Sequence, residues 1–179
     1  MREKDGNKVW LKDATLGRAE KFGTVAASVA KIASGLTKIG FGPKDVICMY
    51  CSNYVEYWLI TLAGWSCGGC VMPVNCELES DQLRLQLIEA EAKILVCDDF
   101  NVDDAVNILE NTDIIQHVVV VGKEGKGRGC IPVQDLMEDD GKSQPKKPLG
   151  INLETDAVYM PFSSSSNEKG AMGVMHTHR

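Results

Sequence analysis

The 179 residues are 44% hydrophobic and 25% charged, a balance that excludes a disordered chain and predicts one ordinary globular domain, burying about two-thirds of its unfolded surface. Twenty-five acidic against nineteen basic side chains leave a formal charge of −6, which excludes a nucleic-acid binder, since counterion release needs a basic face. The opening Met-Arg-Glu-Lys-Asp-Gly-Asn-Lys lacks the basic, apolar, small-residue order of a secretory leader, so a reducing, cytoplasmic location is expected. Seven cysteines, an odd number, then read as buried free thiols rather than a disulfide framework.

Helical spacing is clearest over 22–39, where Phe22, Val25, Ala26, Val29, Ile32, Ala33, Leu36 and Ile39 form one stripe, stopped by Gly40 and Pro43. Val46 to Cys51 is an unbroken apolar run of strand length, which predicts a strand covered on both faces. Asn53 and Glu56 have the spacing of a capping box opening a helix that ends at Gly68-Gly69. The twenty uncharged residues 57–76 are long enough to cross a bilayer. Gly64, Gly68, Gly69 and Pro73 interrupt them, and a buried helix followed by a strand at 70–74 fits better. A helix near 80–91, a strand at 94–97, a helix near 102–110 and a strand at 118–121 follow. Short apolar strands alternating with helices predict an open, mostly parallel, doubly wound α/β sheet with flanking helices. Such sheets take ligands beyond the carboxyl ends of their strands.

The chain therefore divides into an N-terminal extension over 1–19, an α/β unit over 20–121, a loop and linker region over 122–154, and a strand with a Ser/Gly-rich loop over 155–179. Within the third part, the glycines at 125, 127 and 129 superficially resemble a phosphate loop. Cys130-Ile131-Pro132 follows them where a helix should begin, so a solvated loop is the better reading.

Two other constellations compete for function. Cys48, Cys51, Cys67 and Cys70 form C-x2-C-x15-C-x2-C, the spacing of a four-thiolate zinc site. Their positions inside an apolar strand and at a helix end favour structural thiols, and no metal site is expected. In the last part, Ala157-Val-Tyr-Met-Pro-Phe162 delivers the chain into Ser163-Ser-Ser-Ser-Asn-Glu-Lys-Gly170. Small hydroxyl residues beside glycines can turn backbone N–H and side-chain O–H groups inward around a polyphosphate. A serine-rich linker has the same composition, and these residues alone do not separate the two.

Tyr159-Met-Pro-Phe-Ser163-Ser164, followed by Gly173-Val-Met-His-Thr-His-Arg179, resembles the phosphate-loop motif of the adenylate-forming (AMP-binding) superfamily, whose usual form is Ser-Ser-Gly-Thr-Thr-Gly-x-Pro-Lys-Gly-Val-Met-x-Thr-His. Val29 to Leu36, Gly42 to Val46, Ser52 to Glu56, Gly68 to Asn75 and Ala92 to Val96 are similar, in order and spacing, to stretches of acyl-CoA synthetases, 4-coumarate–CoA ligases and beetle luciferases. The resemblance implies the N-terminal part of that family's large domain. It also implies ATP and Mg²⁺ as cofactors, coenzyme A as co-substrate, and a small carboxylic acid as the activated partner. Carried over by position, the phosphate-binding residues are Ser163, Ser164 and Gly173, with Ser166 in place of a threonine hydroxyl and Lys169 reaching the phosphates from a shifted position.

The motif also departs from the family pattern. Ser165 and Glu168 stand where it has glycine, Asn167 where it has threonine, Met172 where it has lysine, and one extra residue precedes Gly173. The family's acid pocket, adenine contacts, Mg²⁺-binding glutamate and C-terminal lysine all follow this point, so these residues alone are expected to contain no catalytic group and to be inactive. A non-catalytic nucleotide-binding or interaction module and a zinc-binding domain are the alternatives. Self-association through apolar surface is expected; so is a chain without a membrane span, and a peroxisomal address would belong to the full-length family member.

Overall fold

The computed structural model describes residues 5–14, 17–113, 115–122, 129–146, 149–163 and 172–179. A hairpin comes first, in a stretch expected to be an extension, with β1 (Val9–Lys12) antiparallel to β2 (Ala19–Lys21). It leads directly into α1 (Phe22–Lys38). Then come β3 (Val46–Tyr50), α2 (Val55–Ser66), β4 (Cys70–Pro73), α3 (Ser80–Glu89), β5 (Ala92–Asp98), α4 (Val102–Asn111) and β6 (His117–Val121), each within a few residues of its expected place. Between the loops of 122–154 lie β7 (Ile131–Pro132) and α5 (Val133–Met137), at the apolar residues Val133, Leu136 and Met137, and β8 (Ala157–Tyr159) and β9 (His176–Thr177) follow. Two-residue strands carry no periodicity, so β7 and β9 left no trace in the sequence pattern.

Among the described residues the main sheet has seven strands in the order β7-β6-β5-β3-β4-β8-β9. All neighbours are parallel except β8 and β9. From β3 the chain moves to β4 on one side, then crosses to β5, β6 and β7 on the other, which makes β3/β5 the topological switch point. All five residues of β3 are buried, as a central parallel strand covered on both faces requires.

Two apolar cores lie on opposite faces of this sheet. Ile47, Met49, Val71 and Val96 pack with Ile32 and Leu36 of α1, Leu59 and Ile60 of α2, and Val133 and Leu136 of α5. Cys48, Met72, Leu95 and Val120 pack with Leu83 and Leu87 of α3 and Ala105 and Ile108 of α4. The predicted stripe of α1 faces the core, with Ile32, Ala33 and Leu36 buried and Val25, Val29 and Ile39 partly buried against it; Phe22 is exposed, and the first turn hangs on the preceding segment through Phe22 N–H to Lys8 C=O and Gly23 N–H to Gly6 C=O.

The capping box does not form. Tyr54, one residue after Asn53, is the N-cap of α2 and its phenol makes no cap bond, while the Glu56 carboxylate pairs with Arg18 at 2.5 Å. The uncharged run 57–76 splits between α2 and β4, and no helix among the described residues is long and apolar enough to cross a membrane. Gly69 joins them at a point where a Cβ would lie 2.4 Å from the Phe41 ring, so the end of α2 sits against that ring with no room for a side chain.

Candidate functional site

Because β8 is parallel to β4, with Val71 beside Tyr159, the segment after β8 emerges at the carboxyl ends of the strands, where α/β sheets take their ligands. There the chain turns back on itself. Phe162 bridges Gly173 in antiparallel fashion, Ser163 N–H donates to Met172 C=O at 2.9 Å and Val174 N–H to Pro161 C=O at 2.9 Å. Below that neck, Ala157 faces Thr177 and Tyr159 faces His176. The described ends of the predicted phosphate loop, Ser163 and Met172, are thus held together at an antiparallel neck.

Of the five residues assigned to phosphate, Ser163 and Gly173 sit at this neck. Ser164, Ser166 and Lys169 lie outside the described residues, as does Glu168. The Ser163 hydroxyl accepts the Met172 N–H at 3.3 Å. That bond occupies a lone pair and leaves the hydroxyl proton available to a further acceptor. At Gly173 a Cβ would come within 3.2 Å of the Phe162 ring, so glycine lets that ring lie against the returning strand.

The hairpin is tied to the sheet by side chains. The Trp65 indole N–H donates to Val158 C=O at 2.8 Å, and Lys44 pairs with Asp156 at 3.7 Å. Arg179 pairs with Glu154. The Asn152 N–H and then the Lys44 ammonium hold the Asp156 carboxyl below the usual carboxylate range. Tyr159 lies against His176 with ring centroids 6.3 Å apart. On the other side, burial, with Tyr159 nearby, pushes the Tyr57 phenol up.

At the switch point, side chains bridge the segments that leave the strands. Buried Asp98 accepts Ser52 N–H at 2.9 Å and Phe100 N–H at 3.1 Å. Asn101 donates to Cys76 C=O at 3.2 Å and Tyr50 C=O at 3.5 Å. Sequence reasoning passed over this pair; the available signal was Asp98 and Asn101 directly after an apolar strand, where Asx side chains bond local backbone.

The zinc reading fails on placement. Cys48 and Cys70 belong to the core under α3 and α4, Cys51 and Cys67 to the core on the opposite face. Burial raises the Cys70 thiol to about 11 and lifts Cys48, Cys51 and Cys67 above their ordinary value, which disfavours the thiolate a metal needs. Among the described residues no group of three or more His, Cys, Asp or Glu side chains is placed to hold a metal ion.

Comparison with known proteins bears on the same hairpin. The model of the AMP-binding enzyme family matches residues 3–179. The chain is 27% identical over 163 residues to 4-coumarate–CoA ligase 3 of Arabidopsis thaliana, covering 91% of this chain and 28% of that protein. The anthranilate CoA ligase AuaEII, solved in complex with anthranoyl-AMP, superposes with a TM-score of 0.83 at 18% identity, over 98% of this chain and 33% of that one. ATP-bound MatB from Rhodopseudomonas palustris superposes with a TM-score of 0.77 at 20% identity, over 99% of this chain and 33% of that one. The chain thus spans about a third or less of the length of these proteins.

Proposed function

The chain belongs to the family of AMP-binding enzymes, and from that premise we propose that its C-terminal hairpin is a nucleotide-phosphate loop in the N-terminal part of an acid–CoA ligase-like protein. In that chemistry ATP adenylates a carboxylic acid and the acyl group then passes to coenzyme A. The observation that carries the reading is the position of the hairpin: it stands at the carboxyl ends of the parallel strands with Ser163 and Gly173 at its neck.

Ser163, Ser164, Ser166, Lys169 and the backbone at Gly173 would hold the β- and γ-phosphates. Their contribution is orientation and charge stabilisation rather than covalent chemistry. Hydroxyl and backbone N–H donors suit phosphate oxygens. No carboxylate cluster suited to Mg²⁺ stands at the hairpin among the described residues, so the metal enters this reading only as the counter-ion of the nucleotide.

A carboxylate at Glu168 opposes the bound phosphates by about 1–4 kcal/mol for a pair of unit charges at 4 Å. On this reading the 179 residues bind ATP without adenylating an acid alone, because the family's acid pocket belongs to later sequence. The location proposed is cytoplasmic. Exposed Phe100, Met172 and Met175 favour self-association of the isolated chain.

Thermal unfolding with and without ATP·Mg²⁺ tests the nucleotide reading, since a ligand at 100 times its Kd stabilises by about 2.7 kcal/mol. The reading is lost if millimolar nucleotide produces no shift. ATP–pyrophosphate exchange with aromatic and fatty acids tests the chemistry, where turnover by these residues alone would overturn the inactivity. A second reading, a nucleotide-binding module without ligase chemistry, draws support from Met172 standing in the place of the family's lysine; binding without exchange even when the rest of a family enzyme is supplied would favour it.

A further inference from the structure

Short β8 pairs with β4 at a single register position, Val71 with Tyr159, supported by Met160 N–H to Val71 C=O at 3.0 Å. Its pairing with β9 slips between Ala157 and Tyr159, so two steps along β8 match one step from Thr177 to His176. Val158 is the extra residue of that irregularity and has no register partner on either neighbouring strand. Bulges of this kind interrupt the ladder and re-aim the strand next to functional sites. The Val158 carbonyl takes its hydrogen from outside the ladder, from the indole of Trp65 in the last turn of α2.

Trp65 is well placed to define a position. Its helix end is held by Gly69 lying against Phe41, and its ring packs, partly buried, on the core shared with Ile47 and Val71. A donor on a rigid element aimed at the one irregular residue of a short strand fixes that strand more narrowly than its few backbone bonds do. From Val158 the chain runs five residues to Ser163, so a displacement of the bulge is carried to the neck.

We propose that Trp65 is a positioning residue for the phosphate-loop hairpin: its indole N–H, held by α2, pins the Val158 bulge and so sets where β8 delivers Ser163. Its nucleotide aspect rests on the reading of the hairpin as a phosphate loop. Its mechanical aspect does not.

The test compares the full chain with Trp65→Phe, which keeps an aromatic ring and removes the donor. Hydrogen exchange should accelerate by about tenfold in the amides of 157–163 and 172–177, the factor expected for one lost hydrogen bond, while 46–50 and 92–98 keep their protection and report that the core is folded. In the unsubstituted chain the Trp65 indole N–H resonance should move on adding ATP·Mg²⁺, which a merely structural indole would not do, and the variant should bind ATP about tenfold more weakly. Unchanged hairpin exchange, uniform acceleration across the chain, or equal ATP affinity in both proteins overturns the proposal. Acceleration confined to the hairpin with no ATP binding by either protein supports the anchoring by Trp65 and removes the phosphate-loop reading alone.

Discussion

The Asp98 carboxylate at the end of β5 accepts the backbone N–H of Ser52 at 2.9 Å, joining the segments that leave the two strands of the switch point. With Phe100 N–H on its other oxygen at 3.1 Å, one buried side chain satisfies two donors. Asp98→Ala leaves both without that acceptor and should cost about 1–3 kcal/mol, chiefly at Ser52, since Phe100 is exposed and its N–H can turn to water. Asp98→Asn, which keeps one acceptor oxygen, should cost less. Urea unfolding midpoints check the order, and equal stability of all three proteins would refute the bridging role.

The Arg18–Glu56 pair holds the β1–β2 hairpin to the start of α2. The Glu56 side chain is 6% exposed and that of Arg18 is 42% exposed, so water screens the cation but hardly the carboxylate. Arg18→Ala strands a buried charge and should cost about 1–2 kcal/mol, below the 3–5 of a fully buried pair. Adding Glu56→Gln to Arg18→Ala should recover part of the loss, which a double-mutant cycle in urea measures.

An acid-sensitive clasp joins α1 to the turn after α5. Lys38 reaches Asp139 at 2.7 Å and Asp140 at 3.2 Å. Its ammonium holds the Asp139 carboxyl down, and the N–H and ammonium of Lys142, with Lys38, hold Asp140 down. Folded values below the unfolded ones mean that both groups contribute stability above the ordinary carboxylate value, about 3.9, and lose it as pH falls through the depressed ones. Lys38 is raised from 10.5, first by its bond to Asp139, so its share is complete below 10.5 and declines as pH rises through the folded value. Lys38→Met should flatten the loss of stability on acidification below about pH 4, read from unfolding midpoints across a pH series. An acid limb of unchanged slope would exclude the clasp.

Thiol reactivity separates the buried cysteines from the others. Cys48, Cys51, Cys67, Cys70 and Cys97 are buried, whereas Cys76 and Cys130 are intermediate. With the Cys70 thiol raised to about 11, only about one molecule in a thousand carries its thiolate at pH 8. A thiol-exchange reagent should therefore label Cys76 and Cys130 first in the native protein and all seven cysteines in denaturant. Rapid native labelling of Cys48 or Cys70 would contradict their burial.

Glu168→Gly restores the residue type of the family motif and removes a negative charge from the loop assigned to phosphates. ATP affinity should rise by about tenfold at low ionic strength and by less at 0.15 M, where the Debye length is about 8 Å. Calorimetric titration at two salt concentrations measures both changes. An affinity indifferent to Glu168 would place the nucleotide elsewhere.

Local pattern carried much of the architecture. The α1 stripe, the fully apolar β3 and the alternation through β6 were legible because helix and strand periods are written in neighbouring residues. The motif around Ser163 and Gly173 pointed to the segment that the fold sets at the carboxyl edge. Lateral order was not legible: that β8 lies beside β4, or that β7 closes the opposite edge, depends on backbone hydrogen bonds between segments far apart in sequence, which leave no local mark. The same limit applied to single side chains. Glu56 looked like a cap and pairs with Arg18, and four cysteines with zinc-like spacing divide between two faces because Cys48 and Cys70 point from their strands toward α3 and α4 while Cys51, just past β3, and Cys67, at the end of α2, belong to the opposite face. The sequence by itself determined the alternating α/β elements, the acidic balance and the family of the hairpin's residues. Only the tertiary structure decided that Asp98 bridges to Ser52 across the switch point and that Trp65 bonds to Val158 of the strand that leads to Ser163, because both contacts exist only after segments distant in the chain have packed together.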